Sequence, residues 1–188
     1  MKGGIILTLI LGVCFGSNFV VNGDFEDSLA VGWTEYSPSS YGYIARSTTY
    51  DPDSDYEVCV YRQGTGGLGT GYDKLYQIVD LPITNLDFSI KLKLYAYESG
   101  NGSNWCGAAC ALYYRDTNDV LLGVTRICRY TGGTPWYNSS TSHIIVASDT
   151  NWHTYTFNIE QELQNLSGVD PAEVAKVTVT LIDTAYNC

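Results

Sequence analysis

A regular alternation of apolar and polar residues runs along most of this chain, and no other feature constrains the fold as strongly. It is clearest where Phe88, Ile90, Leu92, Leu94 and Ala96 alternate with Ser89, Lys91, Lys93, Tyr95 and Tyr97. Side chains point to opposite faces at successive residues of a β-strand, so this segment has one buried and one solvated face. The pattern therefore predicts a β-strand here, in a sheet that packs on one side only.

Similar segments recur from one end of the chain to the other, separated by turn residues. The expected strands are 19–21, 43–46, 56–62, 75–79, 88–96, 111–115, 120–129, 144–147, 153–159 and 177–181. Residues 160–166 are the best candidate helix, but a helix of that length is too short to carry a fold. The sequence predicts an all-β sandwich or barrel.

The chain begins like a secretory signal peptide. Lys2 is followed by an almost wholly apolar segment up to Phe15, and the small Gly16 offers a cleavage point. We expect a signal peptide at residues 1–16, a single mature domain at residues 17–188, and a secreted, extracellular or cell-surface location. The second interpretation is a lipoprotein signal, in which Cys14 would be acylated. No segment is long enough to predict a membrane span.

The charge balance narrows the range of partners. The chain has 20 Asp and Glu against 10 Lys and Arg, a net charge of −10. Such a chain repels a phosphate backbone, so nucleic acid is excluded as a partner.

Cysteines in an exported chain predict disulfides more readily than metal ligands. A hairpin turn at residues 116–119 would bring Cys110 and Cys128 nearly opposite each other on its two strands, so we expect a disulfide between them. Three more cysteines, Cys59, Cys106 and Cys188, follow the signal segment, which makes five in the mature chain. Because five is odd, at least one cysteine must be a free thiol, be linked to another chain, or pair with a cysteine in a missing segment.

The opening of the mature chain resembles a known family. Asn22-Gly23-Asp24-Phe25-Glu26 followed by Gly32-Trp33 is similar to the start of carbohydrate-binding modules of the galactose-binding-like jelly-roll superfamily. The resemblance implies a jelly-roll β-sandwich of two antiparallel sheets. It also implies a structural calcium ion held by Glu26, with Asp24 adjacent. The strand that usually closes this fold is not found in the sequence, so we expect a sandwich that lacks its last strand.

Aromatic residues in polar, loop-like surroundings are the candidate ligand-binding residues. They are Trp105, Trp136, Tyr137, Tyr41 and Tyr43. Exposed rings stack on the apolar faces of sugars, which favours binding of a polysaccharide or glycan. Rings that cap the core or form a subunit contact are an equally good explanation. Trp33, by its place in the opening motif, is expected in the core.

Two functions from different classes remain open. The first is a secreted, non-catalytic carbohydrate-binding module. The second is a structural subunit of an extracellular filament or surface layer, in which identical subunits exchange strands through an exposed sheet edge. An enzyme is not expected, because no nucleophile motif accompanies His143 or His153.

Overall fold

The computed structural model describes residues 18–64, 69–98 and 104–187, together with the backbone of residues 5–8. The strands are β1 (Ile5–Thr8), β2 (Thr34–Tyr36), β3 (Gly42–Ser47), β4 (Glu57–Arg62), β5 (Thr70–Asp80), β6 (Asp87–Lys93), β7 (Trp105–Arg115), β8 (Leu121–Tyr130), β9 (Ser142–Val146), β10 (His153–Asn158) and β11 (Lys176–Tyr186). Helix α1 (Ile159–Leu163) and a 3-10 turn at Pro171–Glu173 complete the secondary structure. The signal peptide expected at residues 1–16 lies outside the described residues except for the backbone of β1.

The strands form two sheets, which confirms the predicted jelly-roll β-sandwich. One sheet has five strands in the order β10-β6-β1-β4-β3, all antiparallel. The other has six strands in the order β2-β5-β11-β7-β8-β9, in which only the pairing of β8 with β9 is parallel. Within the described residues, no helix is long and apolar enough to cross a membrane.

Alternate residues of each sheet meet in one core between the two layers. Val60 and Ile90 of the five-stranded sheet and Leu75, Leu112 and Leu181 of the six-stranded sheet are all 0–1% exposed. Burying a side chain of this size stabilises the fold by roughly 1.5–3 kcal/mol. The period-two pattern of the sequence thus places one set of residues in the core and the other on the outer faces.

The strand expected at residues 19–21 does not form, and the opening motif that follows it folds into a tight turn. Asn22 and Phe25 have φ angles of 49° and 58°, in the left-handed region. The Asn22 amide donates to the carbonyls of Asp27, Ser28 and Val31, which holds the turn closed. Trp33 is buried against Phe25 with ring centroids 5.4 Å apart, so the core role expected for Trp33 is confirmed.

The disulfide predicted between Cys110 and Cys128 is wrong. The turn at residues 116–119 forms as expected, but the hairpin register pairs Cys110 with Ile127 and Cys128 with Ala109. A shift of one residue moves a side chain to the other face of a sheet. Cys110 therefore lies in the core and Cys128 on the outer face, and both thiols are free.

Candidate functional site

The outer face of the six-stranded sheet carries a broad set of aromatic rings, which we call the aromatic face. Because Leu75, Leu112 and Leu181 point into the core, the residues between them point outward. The outward register positions away from the strand ends are Thr34 and Tyr36 on β2, Tyr72, Lys74, Tyr76 and Ile78 on β5, Thr178, Thr180, Ile182 and Thr184 on β11, Gly107, Ala109, Ala111 and Tyr113 on β7, and Val124, Arg126, Cys128 and Tyr130 on β8. At the ends of β5, β11 and β7, the outward residues are Asp80, Lys176 and Arg115 on one side and Thr70, Tyr186 and Trp105 on the other.

Trp136 covers one side of this face. Its ring lies over Gly107, close enough that a Cβ on residue 107 would be 2.8 Å from the indole. Tyr130 meets the indole edge to face, with centroids 6.2 Å apart. The Arg126 guanidinium lies 5.7 Å from the Trp136 ring and 5.7 Å from the Tyr113 ring. These four side chains form the Trp136 cluster.

The loop that carries Trp136 is tied to the end of β7. Thr131 Oγ1 accepts the Cys106 N–H at 3.0 Å, and the Thr134 hydroxyl donates to the Cys106 carbonyl at 3.2 Å. Beyond the indole, the Asn138 side chain accepts the Ile144 N–H at 2.7 Å. Both ends of the loop are thus fixed to the sheet, and a fixed loop can hold a ring without a large entropy cost on binding.

A second group of rings covers the other side of the face. The rings of Tyr36 and Tyr72 stack with centroids 5.3 Å apart. The Lys74 ammonium lies 5.5, 5.7 and 4.8 Å from the rings of Tyr36, Tyr72 and Tyr76. These side chains form the Tyr72 cluster. A cation over an aromatic face is attracted by the ring quadrupole, so Lys74 holds the three rings together.

Small residues form the floor between the two clusters. Ala109 and Ala111 are 0% exposed and Thr180 is 3% exposed, although all three point away from the core. Larger side chains therefore lie over them. Burial raises the pKa of Tyr72, and the nearby Tyr36 and then Tyr113 add to this effect. Tyr113 belongs to the opposite cluster, so the two groups of rings approach each other across the floor.

The structure brings only some of the predicted ligand-binding residues together. Trp105 is at the end of the same face, stacked on Tyr186 at 5.9 Å. Tyr137 is 69% exposed on the Trp136 loop. Tyr43 instead lies on the five-stranded sheet, where it packs on Tyr61 at 5.0 Å. Burial raises the pKa of Tyr43 to about 12, with Cys59 adding to the effect. Tyr41 directly precedes β3 of that sheet, and its carbonyl accepts the Gln63 N–H at 2.7 Å.

Sequence reasoning missed most of the strand-borne members of the face. Tyr76 and Arg126 occupy the solvent side of segments predicted as strands, and Lys74 lies one residue before the strand predicted at 75–79, within the longer β5 that the structure shows. The alternation could have placed them on an outer surface. It could not have placed Lys74 and Arg126 on the same surface, because β11 and β7 separate their strands in the sheet.

The predicted calcium ligands have other partners in this structure. Glu26 Oε1 accepts the Tyr56 N–H at 3.0 Å, and Asp24 accepts the Glu26 N–H at 3.4 Å. The Arg46 guanidinium donates to the carbonyls of Phe25 and Glu26 and so places a positive charge at this turn. Among the described residues, no group of three or more acidic, His or Cys side chains could hold a metal. Calcium at Glu26 stays a prediction, and it would need oxygen ligands beyond these two residues.

An ionic cluster is buried at one end of the sandwich. The Arg62 guanidinium pairs with the Asp73 carboxylate at 2.7 Å, and the backbone N–H of Arg62 donates to Asp183 Oδ2 at 2.8 Å. Two glycines leave room for this pair: a Cβ on Gly42 would lie 2.1 Å from Asp73, and one on Gly71 would lie 2.1 Å from Arg62. Burial raises the pKa of Asp183 well above its usual value. This cluster ties β4 to β5 and β11 across the core.

Each histidine contacts a carboxylate. His143 Nδ1 lies 2.5 Å from Glu162, which also accepts from Thr125 at 2.9 Å and so ties α1 to the six-stranded sheet. His153 lies 2.8 Å from Asp149. These contacts hold a helix and a loop in place.

Comparison with known proteins gives a distant structural likeness. No protein-family profile matches the sequence, and no curated protein matches it. Among solved structures, the chain is similar to the C-terminal family 22 carbohydrate-binding module of Xyn10B from Clostridium thermocellum. The two share 14% sequence identity, with a TM-score of 0.38, over 86% of this chain and 87% of the other.

Proposed function

We propose that this protein binds glycans through the aromatic face and that it does so without catalysis. The observation that carries the proposal is Trp136, which is held over Gly107 by a loop fixed at both ends. A ring positioned in this way offers a flat apolar surface beside the Arg126 guanidinium. Sugars are recognised by such a combination of flat apolar surface and few polar groups.

The second support is the extent of the face. Arg126 and Tyr130 of the Trp136 cluster lie on β8, and Tyr72, Lys74 and Tyr76 of the Tyr72 cluster lie on β5. These two strands are three strand spacings apart, or about 14 Å. A surface of that width is larger than one sugar ring. We therefore expect an oligosaccharide or polysaccharide chain to bind rather than a monosaccharide.

A glycan array with the purified chain tests this proposal. Trp136→Ala should weaken binding at least ten-fold, which corresponds to about 1.4 kcal/mol. Trp152→Ala is the matched control, because Trp152 lies near Lys91 of the five-stranded sheet and its loss should leave binding unchanged. Equal loss in both variants, or binding by Trp136→Ala at full strength, would contradict the proposal.

Secretion is part of the same proposal. An apolar segment after Lys2 and the small Gly16 support cleavage before Ser17. Expression of the whole chain with its first residues intact, followed by N-terminal sequencing of the exported product, should give Ser17 as the first residue. A product that starts at Met1 and stays in the cell would contradict this.

A structural subunit is the second candidate function, and the position of β1 favours it. β1 lies in the middle of the five-stranded sheet, with Ile6 opposite Cys59 of β4 and Lys93 of β6. It also belongs to the predicted signal peptide. Removal of residues 1–16 would leave β4 and β6 facing an open slot between them, and unpaired backbone groups in a sheet are a template for another strand.

We infer that a strand of a second copy fills this slot after cleavage. The chain from residue 17 to 188 should then form oligomers in light scattering coupled to size exclusion. A synthetic peptide of residues 3–10, added in excess, should occupy the slot and return the oligomers to monomers. A stable monomer without the peptide would reject the structural role and leave glycan binding as the function.

A further inference from the structure

The aromatic face differs from the rest of the molecule in its charge. The chain has 20 Asp and Glu residues, yet Asp80 alone among them occupies an outward register position on the five strands that define the face, and it lies at the end of β5. Four cations occupy such positions. Lys176 and Arg115 lie beside Asp80 at that end of the sheet, whereas Lys74 on β5 and Arg126 on β8 lie among the aromatic rings. In an acidic protein this is the surface to which a negatively charged ligand is attracted.

Most other cations of the described residues already have partners of opposite charge or accepting carbonyls. Arg62 pairs with Asp73, Lys91 with Asp51, and Lys176 with Asp119, all at 2.7–2.8 Å. Arg46 and Arg129 donate to backbone carbonyls. These cations already have partners within the fold, so they are poorly placed to pair with an acidic group of a ligand.

Lys74 and Arg126 are placed differently. Neither forms an ion pair with a carboxylate of the described residues, and both lie against aromatic rings instead. The Arg126 guanidinium also donates to the Ser142 hydroxyl at 3.2 Å, which orients its plane. Stacking fixes each cation beside a ring, so one sugar could stack on the ring while its acidic group pairs with the cation.

The spacing of the two cations indicates a polymer. β5 and β8 are about 14 Å apart, and the register sets Arg126 two residues along the strands from Lys74, or about 7 Å. One sugar unit cannot reach both charges. Two acidic groups on separate units of one chain could reach them.

We propose that the ligand of the aromatic face is an acidic polysaccharide whose carboxylates pair with Lys74 and Arg126. This rests on the proposed glycan-binding function and names its ligand class. Arg126 supplies a planar fork that matches a carboxylate in two parallel hydrogen bonds, and Lys74 supplies a point charge. The rings of the two clusters hold the sugar faces between these charges.

Calorimetric titration of the purified chain with polygalacturonate and with its methyl ester tests the ligand class. The two polymers share a backbone, and only the acid carries charge. The acid should bind at least ten-fold more tightly. Lys74→Gln and Arg126→Gln should each weaken binding of the acid about ten-fold and should narrow the difference in affinity between the acid and the ester. Lys93→Gln, which removes the same charge from β6 of the other sheet, should change neither.

The possible outcomes separate the ligand class from the function. Equal binding of acid and ester, with Lys74→Gln unaffected, would overturn the acidic ligand and leave glycan binding intact. No binding to any glycan on the array would overturn the proposed function itself. Tighter binding of dextran sulfate than of polygalacturonate would overturn the inference that the acidic groups of the ligand are carboxylates.

Arg126→Lys keeps the positive charge but not the planar fork of the guanidinium. It should therefore lose less affinity for the acid than Arg126→Gln, provided that both variants melt at the temperature of the parent chain.

Discussion

Trp136 lies against the backbone of Gly107, the one position on the central strand β7 where no side chain would separate the indole from the sheet. A Cβ at residue 107 would lie 2.8 Å from the ring, nearer than real contacts allow. The neighbouring outward residues of β7, Ala109 and Ala111, are also small. The outer surface of β7 is thus flat enough for the indole ring of a loop residue to lie directly on it.

Gly107→Ala should therefore displace the Trp136 ring and weaken glycan binding. We expect a loss of about ten-fold in affinity and a shift in tryptophan fluorescence, with the fold retained. Gly132→Ala is the matched control in the same loop region, because a Cβ there meets nothing within 4 Å. An unchanged affinity in Gly107→Ala would mean that the position of Trp136 does not determine binding.

The alternation of the sequence predicted strands well where one face is buried and the other is wet. β6 and β10 are of this kind, and both were predicted close to their observed bounds. β7 was predicted only from residue 111, although it begins at Trp105. Its first half, Cys106 to Cys110, is a run of small residues buried on both faces, so it has no alternation to detect.

The candidate site was predictable only in part for a related reason. Trp105 and Trp136 stand out in polar surroundings. In the structure Trp105 begins β7, and the loop residue Trp136 lies over Gly107 of the same strand. Lys74 and Arg126 join them through the pairing of β5 with β11 and of β11 with β7. Pairing between strands far apart in sequence leaves no local signal. The same limit applies to the Cys110 and Cys128 disulfide, since a register shift of one residue decides it.

Asp73→Ala should destabilise the protein strongly. It would leave the Arg62 guanidinium buried without its carboxylate, and removal of one member of a buried ion pair costs roughly 3–5 kcal/mol. Urea unfolding followed by circular dichroism would measure the loss. The double variant Arg62→Met and Asp73→Leu, which removes both charges, should recover much of the stability. A loss below about 1 kcal/mol in Asp73→Ala would show that water reaches the pair.

The thiols should resist alkylation in the folded chain. Burial raises the pKa of Cys59 to about 11 and of Cys128 to about 12, and it raises the pKa of Cys110 further. Only the thiolate reacts, so iodoacetamide at mildly alkaline pH should label these residues after unfolding in urea but not before. Mass spectrometry of peptides would locate the label. A peptide that links Cys110 to Cys128 would contradict the register of the hairpin.

The contribution of Asp183 to the stability of the protein should fall as the pH rises above about 4, and Asp183→Asn should remove this pH dependence. Burial raises the pKa of Asp183 in the folded state well above its usual value, which is about 3.9 in an unfolded chain. Between these two pKa values the unfolded chain has released its proton and the folded chain has kept it. Each pH unit in that window therefore costs the folded state up to about 1.4 kcal/mol.

Asparagine does not titrate, so the free energy of unfolding of Asp183→Asn should improve relative to the parent chain as the pH rises. Urea unfolding at about pH 4 and about pH 7 would measure the change, with Val179→Ala as a control that adds no titrating group. A difference between Asp183→Asn and the parent chain that stays constant over this range would mean that Asp183 is already ionised in the folded protein.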